Sequence, residues 1–107
     1  MSRSETAPFQ RLVKMIEHEL ELAGQGRVAE LRAAVAKTGA FMATLPSPAP
    51  ESARTLVYRA QALRGRVTIE TQRLRESIEL SQASLRRARR LSRKYAPRRR
   101  SRYSTSA

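Results

Sequence analysis

The sequence predicts an all-α protein, and three observations support that fold class. Helix-favouring residues dominate the 107-residue chain, apolar residues recur at spacings of three and four, and three prolines cluster between residues 46 and 50. Apolar residues at that spacing line one face of a helix, whereas three prolines in five residues cannot lie inside one. We therefore expect helical segments on either side of a proline corner at 46–50, forming a long antiparallel hairpin or a three-helix array.

The first helical segment is predicted over about residues 7–45, and two apolar seams follow it. The seams are out of step by one residue across Gly24 and Gly26. Two glycines cost a helix about 2 kcal/mol relative to alanine, so the segment is expected to kink or break at 24–26. The first seam contains Phe9, Val13, Ile16, Leu20 and Ala23, and the second contains Val28, Leu31, Val35, Met42 and Leu45, with Thr38 at the remaining position.

The second helix is predicted over about residues 51–95, where Pro97 would end it. The residues after it, 97–107, are rich in arginine and serine and are expected to be a disordered tail. The rest of the chain, 1–96, is expected to form a single helical domain. The seam of the second helix contains Leu56, Ala60, Leu63, Val67, Thr71, Leu74, Ile78, Ser81, Leu85, Ala88 and Leu91 or Ser92.

An unbroken hairpin would fix which residues face each other. Folding at the proline corner places Leu45 opposite Ser52 and Phe9 opposite residues near Ala88. The end of the second helix, with Leu91 and Tyr95, then has no partner within the hairpin. Several seam positions also hold serine, threonine or alanine in place of a larger apolar residue. The monomer is therefore expected to be marginally stable and to need a partner helix, either a client or a second copy.

The residue inventory does not predict an enzyme, a metal site or a cofactor. There is no cysteine, and the one histidine, His18, is set among Glu17, Glu19 and Glu21 on what is best interpreted as a solvated acidic helix face. No glycine-rich phosphate loop or Ser-His-Asp arrangement is present. No apolar run approaches the roughly 18–20 residues of a membrane span, and the start of the sequence lacks a signal-like apolar stretch. We therefore predict a cytoplasmic protein without membrane insertion.

Charge is concentrated at one end of the chain. The formal net charge is +13, of which residues 1–50 carry +1, and no acidic residue follows Glu79. Ten basic residues could neutralise several phosphates, and Tyr95 and Tyr103 could stack on bases, so a small basic helical nucleic-acid-binding protein is the alternative function. The simplest interpretation is a solvated tail, and the arginines are spread around the helix without a known base-reading motif. The ten residues are Arg86, Arg87, Arg89, Arg90, Arg93, Lys94, Arg98, Arg99, Arg100 and Arg102.

Three stretches of the chain share features with one known family. A leucine-rich stretch runs into a glycine step and a later lysine, a leucine-rich stretch lies in the second long helix, and a Tyr-x-Pro sequence precedes a Ser/Thr-containing end. They are residues 20–31 with Lys37, residues 74–81 with Leu85 and Leu91, and Tyr95-Ala96-Pro97 with the residues after it. In this order they resemble the FlgN-type flagellar export chaperones.

This resemblance implies a binding function without catalysis. It implies that the C-terminal helix holds a helical segment of a hook–filament junction protein, and that Tyr95 docks on the flagellar export gate. Helices of this kind recognise partners through anchors spaced by three and four. The same stripe could instead be an intramolecular core, a homodimer seam or part of a coiled-coil scaffold. The predicted client-binding residues are Leu74, Ile78, Leu85, Ala88, Leu91 and Tyr95.

Overall fold

The computed structural model describes the backbone of residues 3–106 and the side chains of residues 4–94. It contains three α-helices, α1 (Arg3–Gly24), α2 (Val28–Met42) and α3 (Arg54–Ser106), with a 3-10 turn at Glu51–Ala53 just before α3. No β-strand occurs in this described part of the chain. The predicted all-α fold is therefore confirmed, in its three-helix form.

The chain forms two compact units, Met1–Leu74 and Arg75–Ala107, here called the N-terminal and C-terminal units. The N-terminal unit contains α1, α2 and the first turns of α3. The C-terminal unit contains the remaining turns of α3 and no other helix. The division falls inside the domain predicted over 1–96, whose independence as a folding unit stays a prediction.

The break between α1 and α2 is a Schellman motif, a helix cap built around a residue in the left-handed region. Gly26 is that residue, with a φ of 70°. Its N–H donates to the carbonyl of Ala23, and the N–H of Arg27 donates to the carbonyl of Leu22, both at 3.1 Å. These two hydrogen bonds define the motif, and glycine adopts the conformation without the clash that a Cβ would cause. The predicted kink or break at 24–26 is thus a break.

The core of the N-terminal unit is built from all three helices. Ile16 of α1 is completely buried and packs with Leu63 and Val67 of α3 in one cluster. Phe41 and Met42, at the end of α2, pack against the same cluster. The full cluster contains Leu12, Val13, Ile16, Ala60, Leu63 and Val67, and a smaller one near the break contains Leu22, Ala23 and Leu31. The core of the bundle therefore needs α1 before the break, α2 after it and α3 beyond the proline corner.

Thr38 occupies the core position that the sequence assigned to it. The side chain is buried, and its hydroxyl donates to the carbonyl of Ala34 at 2.9 Å. A buried hydroxyl is costly only when it lacks a hydrogen-bond partner. Threonine is therefore accommodated at a position where a leucine would be the usual choice.

The predicted seams need three corrections. Val35 is 40% exposed, because the covered face of α2 extends from Leu31 and Thr38 toward Ala34 and Phe41 and leaves residue 35 at its opposite edge. Leu12 and Leu22 were not placed in the seams but are buried. Leu22 packs with Leu31 of α2, a contact that exists because the break folds α2 back onto α1, and Leu12 joins the main cluster of the bundle.

The register of an unbroken hairpin is wrong for the same reason. Glu5 near the start of α1 accepts a hydrogen bond from the Ser52 hydroxyl at 2.9 Å, and Glu17 pairs with Arg59 at 3.1 Å. Residues 5–17 of α1 thus lie beside residues 52–59, which form the 3-10 turn and the start of α3, and the two helices run parallel. Phe9 is buried within the N-terminal unit and does not lie opposite Ala88, which belongs to the C-terminal unit.

The two helices that flank the proline corner are antiparallel, as predicted. The end of α2 contacts α3 where Arg64 Nη1 donates to Met42 Sδ at 2.9 Å. At the start of α2, a Cβ on Gly26 would lie 3.9 Å from Leu74 Cδ1. α2 and the first turns of α3 therefore lie side by side and run in opposite directions.

The helix ends differ from the predicted ones at three places. α1 begins at Arg3 and includes Pro8, which removes one backbone hydrogen bond of its second turn. α2 ends at Met42, followed by turns that hydrogen-bond Leu45 N to the Met42 carbonyl. α3 extends to Ser106 and so continues past the predicted end at Tyr95. Pro97 removes one backbone N–H donor from this helix, and the arginines that follow it are good helix formers.

Candidate functional site

The predicted client-binding residues divide between the two units. Leu74 is half-buried in the N-terminal unit, next to Gly26. Ile78, Leu85 and Leu91 lie in the C-terminal unit with 39%, 57% and 56% of their surface exposed. Ala88 is exposed beside them, and the Tyr95 side chain lies outside the described residues. Four of the six predicted residues are thus available to a partner on a single helical segment.

These exposed residues belong to a wider face of α3 that carries no charge. At about 100° per residue, nine residues between 77 and 92 project within a sector of about 160°. No charged residue of 75–94 falls in that sector. We call this sector the uncharged face. It consists of Ser77, Ile78, Leu80, Ser81, Ser84, Leu85, Ala88, Leu91 and Ser92.

Leu80 is the residue that sequence reasoning missed. It is 68% exposed, the most exposed large apolar side chain of the C-terminal unit among the described residues. The predicted stripe followed one row of the helix through Ile78 and Leu85. Leu80 lies on the opposite edge of the uncharged face, at nearly the same angle around the helix axis as Leu91. Plotting every residue by angle, instead of following one row of threes and fours, would have found it.

The uncharged face has small residues along its middle and large ones along its edges. Ile78 and Leu85 line one edge, Leu80 and Leu91 line the other, and serines and Ala88 lie between them. Small side chains let a second helix approach closely, while the flanking leucines can insert beside its ridges. Such a surface is suited to receive one helix lengthwise.

Positive charge occupies the other side of the same helix. Six basic residues lie between 86 and 94, all exposed, and none of the three ion pairs formed among the described residues involves them. The sequence interpretation spread the arginines over more than half of the helix circumference. Arg86, Arg87, Arg89 and Arg90 in fact span about 160°, less than half the circumference. Arg87 and Arg89 mark the two borders with the uncharged face, whereas Arg86 and Arg90 lie on the side away from it.

The remaining basic residues of the alternative nucleic-acid site lie beyond the described side chains. They are Arg98, Arg99, Arg100 and Arg102. Arg93 and Lys94 are described and exposed. The described part of the site is therefore a one-sided cationic surface over 86–94.

The N-terminal unit offers two further features. Glu17, His18 and Glu21 are exposed, as the interpretation of a solvated helix face predicts. Glu19, which that interpretation also placed in solvent, is buried. Within the described residues, no group of three or more His, Cys, Asp or Glu side chains is close enough to hold a metal ion. A shallow groove of about 310 Å³ separates α1 from α2 and is lined by Arg11, Lys14, Met15, His18, Ala34, Lys37 and Thr38.

The core of the N-terminal unit also contains a carboxylate. Glu19 is 3% exposed, and its Oε2 has no hydrogen-bond partner. A buried acceptor without a partner costs about 1–3 kcal/mol. Glu19 therefore lowers the stability of the bundle.

Over the described residues, none of the helices combines the length and apolar content that crossing a membrane requires. Comparison of the chain with protein-family models, with curated proteins and with solved structures gave no match.

Proposed function

We propose that this chain is a helical chaperone that holds an amphipathic helical segment of a client protein on the uncharged face of α3. One observation carries the proposal: four large apolar side chains are 39–68% exposed on one uncharged sector of a single helix, Ile78, Leu80, Leu85 and Leu91. Exposed apolar surface of this continuity is typical of an interaction site.

The apolar contacts alone would give a weak complex. Full burial of a Leu or Ile side chain contributes about 1.5–3 kcal/mol. These side chains are already partly covered, so a client would gain about 1 kcal/mol from each, or roughly 4 kcal/mol in all. A micromolar complex needs about 8 kcal/mol after the cost of association is subtracted. A client must therefore gain from additional contacts, either with the small residues at the middle of the face or with the charges at its borders.

The identity of the client comes from the resemblance to the FlgN-type chaperones. It suggests a hook–filament junction protein, held in the cytoplasm in a form competent for export and delivered to the flagellar export gate through Tyr95. If Tyr95→Ala leaves export of the client unchanged while binding persists, the gate-docking role of Tyr95 is removed from the proposal.

Co-purification from nuclease-treated lysate tests the binding function. The Leu85→Ala, Leu91→Ala double variant shortens one residue on each edge of the uncharged face and should lose the client. Ile69→Ala is the matched control, since Ile69 is a 54% exposed residue of α3 in the other unit. Recovery of the same junction protein by the unmodified chain and the control, and not by the double variant, supports the proposal. Equal recovery by all three contradicts it.

Nucleic-acid binding is the second candidate, and the one-sided cationic surface over 86–94 favours it. Six unpaired basic side chains there would release counterions from a phosphate backbone, so binding should weaken steeply with salt. This function does not use the uncharged face. An affinity for single-stranded RNA that is unaffected by Leu85→Ala, Leu91→Ala and is lost at high salt would establish it in place of the chaperone function.

A further inference from the structure

We infer that the segment held on the uncharged face is an acidic amphipathic helix, an inference that rests on the proposed function and specifies the chemistry of its client. The apolar contacts of the face are too few for a firm complex, as worked out above. The borders of the face carry the groups that can supply the rest, because Arg87 and Arg89 each lie about 20° from its edge.

Neither border arginine forms an ion pair among the described residues. Arg87 and Arg89 are exposed, and none of the three ion pairs there involves them. Elsewhere in the chain, arginines pair readily with nearby glutamates, as Arg27 does with Glu30. A helix docked lengthwise would place its own flanking residues against both borders, and glutamates or aspartates there would complete the missing pairs.

The charge balance of the C-terminal unit argues against a second copy as the occupant. Residues 75–107 contain eleven basic residues and two acidic ones, Glu76 and Glu79, for a net charge of +9. Two such helices brought side by side would repel each other across both borders. Charge complementarity therefore selects a partner whose polar residues are acidic.

The apolar side chains argue against nucleic acid or a lipid surface as the main occupant. A phosphate backbone would engage the cationic side and leave Leu80 and Leu85 in water. A membrane-surface helix usually carries bulky aromatic and leucine side chains across its apolar face. The middle of this face holds only serines and Ala88, and residues 75–94 include no aromatic residue. Small residues along the middle favour the close approach of another helix.

Two labelled peptides of about 20 residues, long enough to form helix on contact, test this inference with the full-length chain. They share one leucine pattern and differ at the flanking positions, which are Glu in one peptide and Gln in the other. Fluorescence anisotropy at about 50 mM and about 500 mM salt compares their affinities, since salt screens exposed charges. We expect the Glu peptide to bind about tenfold more tightly at low salt, with most of the difference lost at high salt.

Two charge variants locate the effect. Arg87→Gln with Arg89→Gln removes two charges at the borders, and Arg86→Gln with Arg90→Gln removes two from the far side. The border variant should lose most of the preference for the Glu peptide, and the far-side variant should keep it. Equal effects of the two variants would overturn the assignment to the borders.

The outcomes separate this inference from the proposed function. Equal binding of both peptides refutes the acidic preference and leaves the helix-binding function standing. Binding of neither peptide counts against both. Displacement of the Glu peptide by single-stranded polyuridylate, or by vesicles of phosphatidylcholine and phosphatidylglycerol, at lower concentrations than unlabelled Glu peptide requires would refute the inference in favour of nucleic acid or an anionic membrane.

Discussion

Substitution of Gly26 by alanine tests the break that creates the three-helix bundle. A Cβ at this position would lie 3.9 Å from Leu74 Cδ1, an ordinary contact, so packing does not oppose the change. The backbone does, because Gly26 has a φ of 70° and an L-residue in the left-handed region costs about 1–2 kcal/mol. We expect Gly26→Ala to lower the free energy of unfolding by that amount.

Gly39→Ala is the matched control, with the opposite expected sign. Gly39 lies inside α2, and nothing lies within 4 Å of an added Cβ. Alanine is favoured over glycine in a helix interior by about 0.8–1 kcal/mol. The same chemical change should therefore stabilise the bundle at one glycine and destabilise it at the other, with a difference of about 2–3 kcal/mol between the variants.

Thermal and urea unfolding followed by far-UV circular dichroism measures both effects. In a domain of this size, each kcal/mol shifts Tm by about 4–8 °C. The two variants should move in opposite directions from the unmodified chain. If Gly26→Ala equals or exceeds the stability of the unmodified chain, then α1 and α2 form one continuous helix and the bundle described above is incorrect.

The remaining predictions concern the core and the uncharged face. Ile16→Ala removes a completely buried side chain and should cost about 2–5 kcal/mol in urea unfolding; a loss below 1 kcal/mol would contradict its central position. Glu19→Leu replaces a buried carboxylate whose Oε2 has no partner and should stabilise the bundle by about 1–3 kcal/mol, with Glu19→Gln intermediate; destabilisation would reveal a partner for Glu19. Leu85→Ala with Leu91→Ala should leave helicity and the unfolding midpoint of the N-terminal unit unchanged, and loss of either would make these leucines structural.

Local features of the fold could be predicted because the sequence encodes them in single residues. Three prolines allow only a corner at 46–50, and two glycines weaken any helix across 24–26. Thr38 was placed in the core because it continues an apolar period, and its hydroxyl can be satisfied within its own helix. None of these conclusions depended on knowing which helix packs against which.

The pairing of helices could not be predicted, because amphipathic seams fit one another in several arrangements. The sequence left the choice between a kink and a full reversal at Gly26, and that choice decides the neighbours of every residue in α1. Leu22, which packs with Leu31 of α2, was left out of the predicted seam for this reason. The Schellman hydrogen bonds that select the reversal are made by the backbone and leave little trace in residue types.

The candidate site was predicted in part. Leu91 was expected to be exposed from helix lengths, and it is exposed. Exposure begins earlier than that argument implied, at Ile78, because the bundle uses α3 only as far as Leu74. Leu80, on the second edge of the uncharged face, was missed because its place there follows from its angle around the helix and not from the spacing along one row.

The composition of the core has a consequence for the order in which the chain folds during synthesis. α1 and α2 can pair as soon as they are made, but the cluster around Ile16 also requires Ala60, Leu63 and Val67. The N-terminal unit therefore cannot close until the early turns of α3 have left the ribosome. Until then, a pair of α1 and α2 would leave the apolar side around Ile16 without its partners from α3. The arginine-rich end of the chain emerges only after the bundle has the residues it needs to fold.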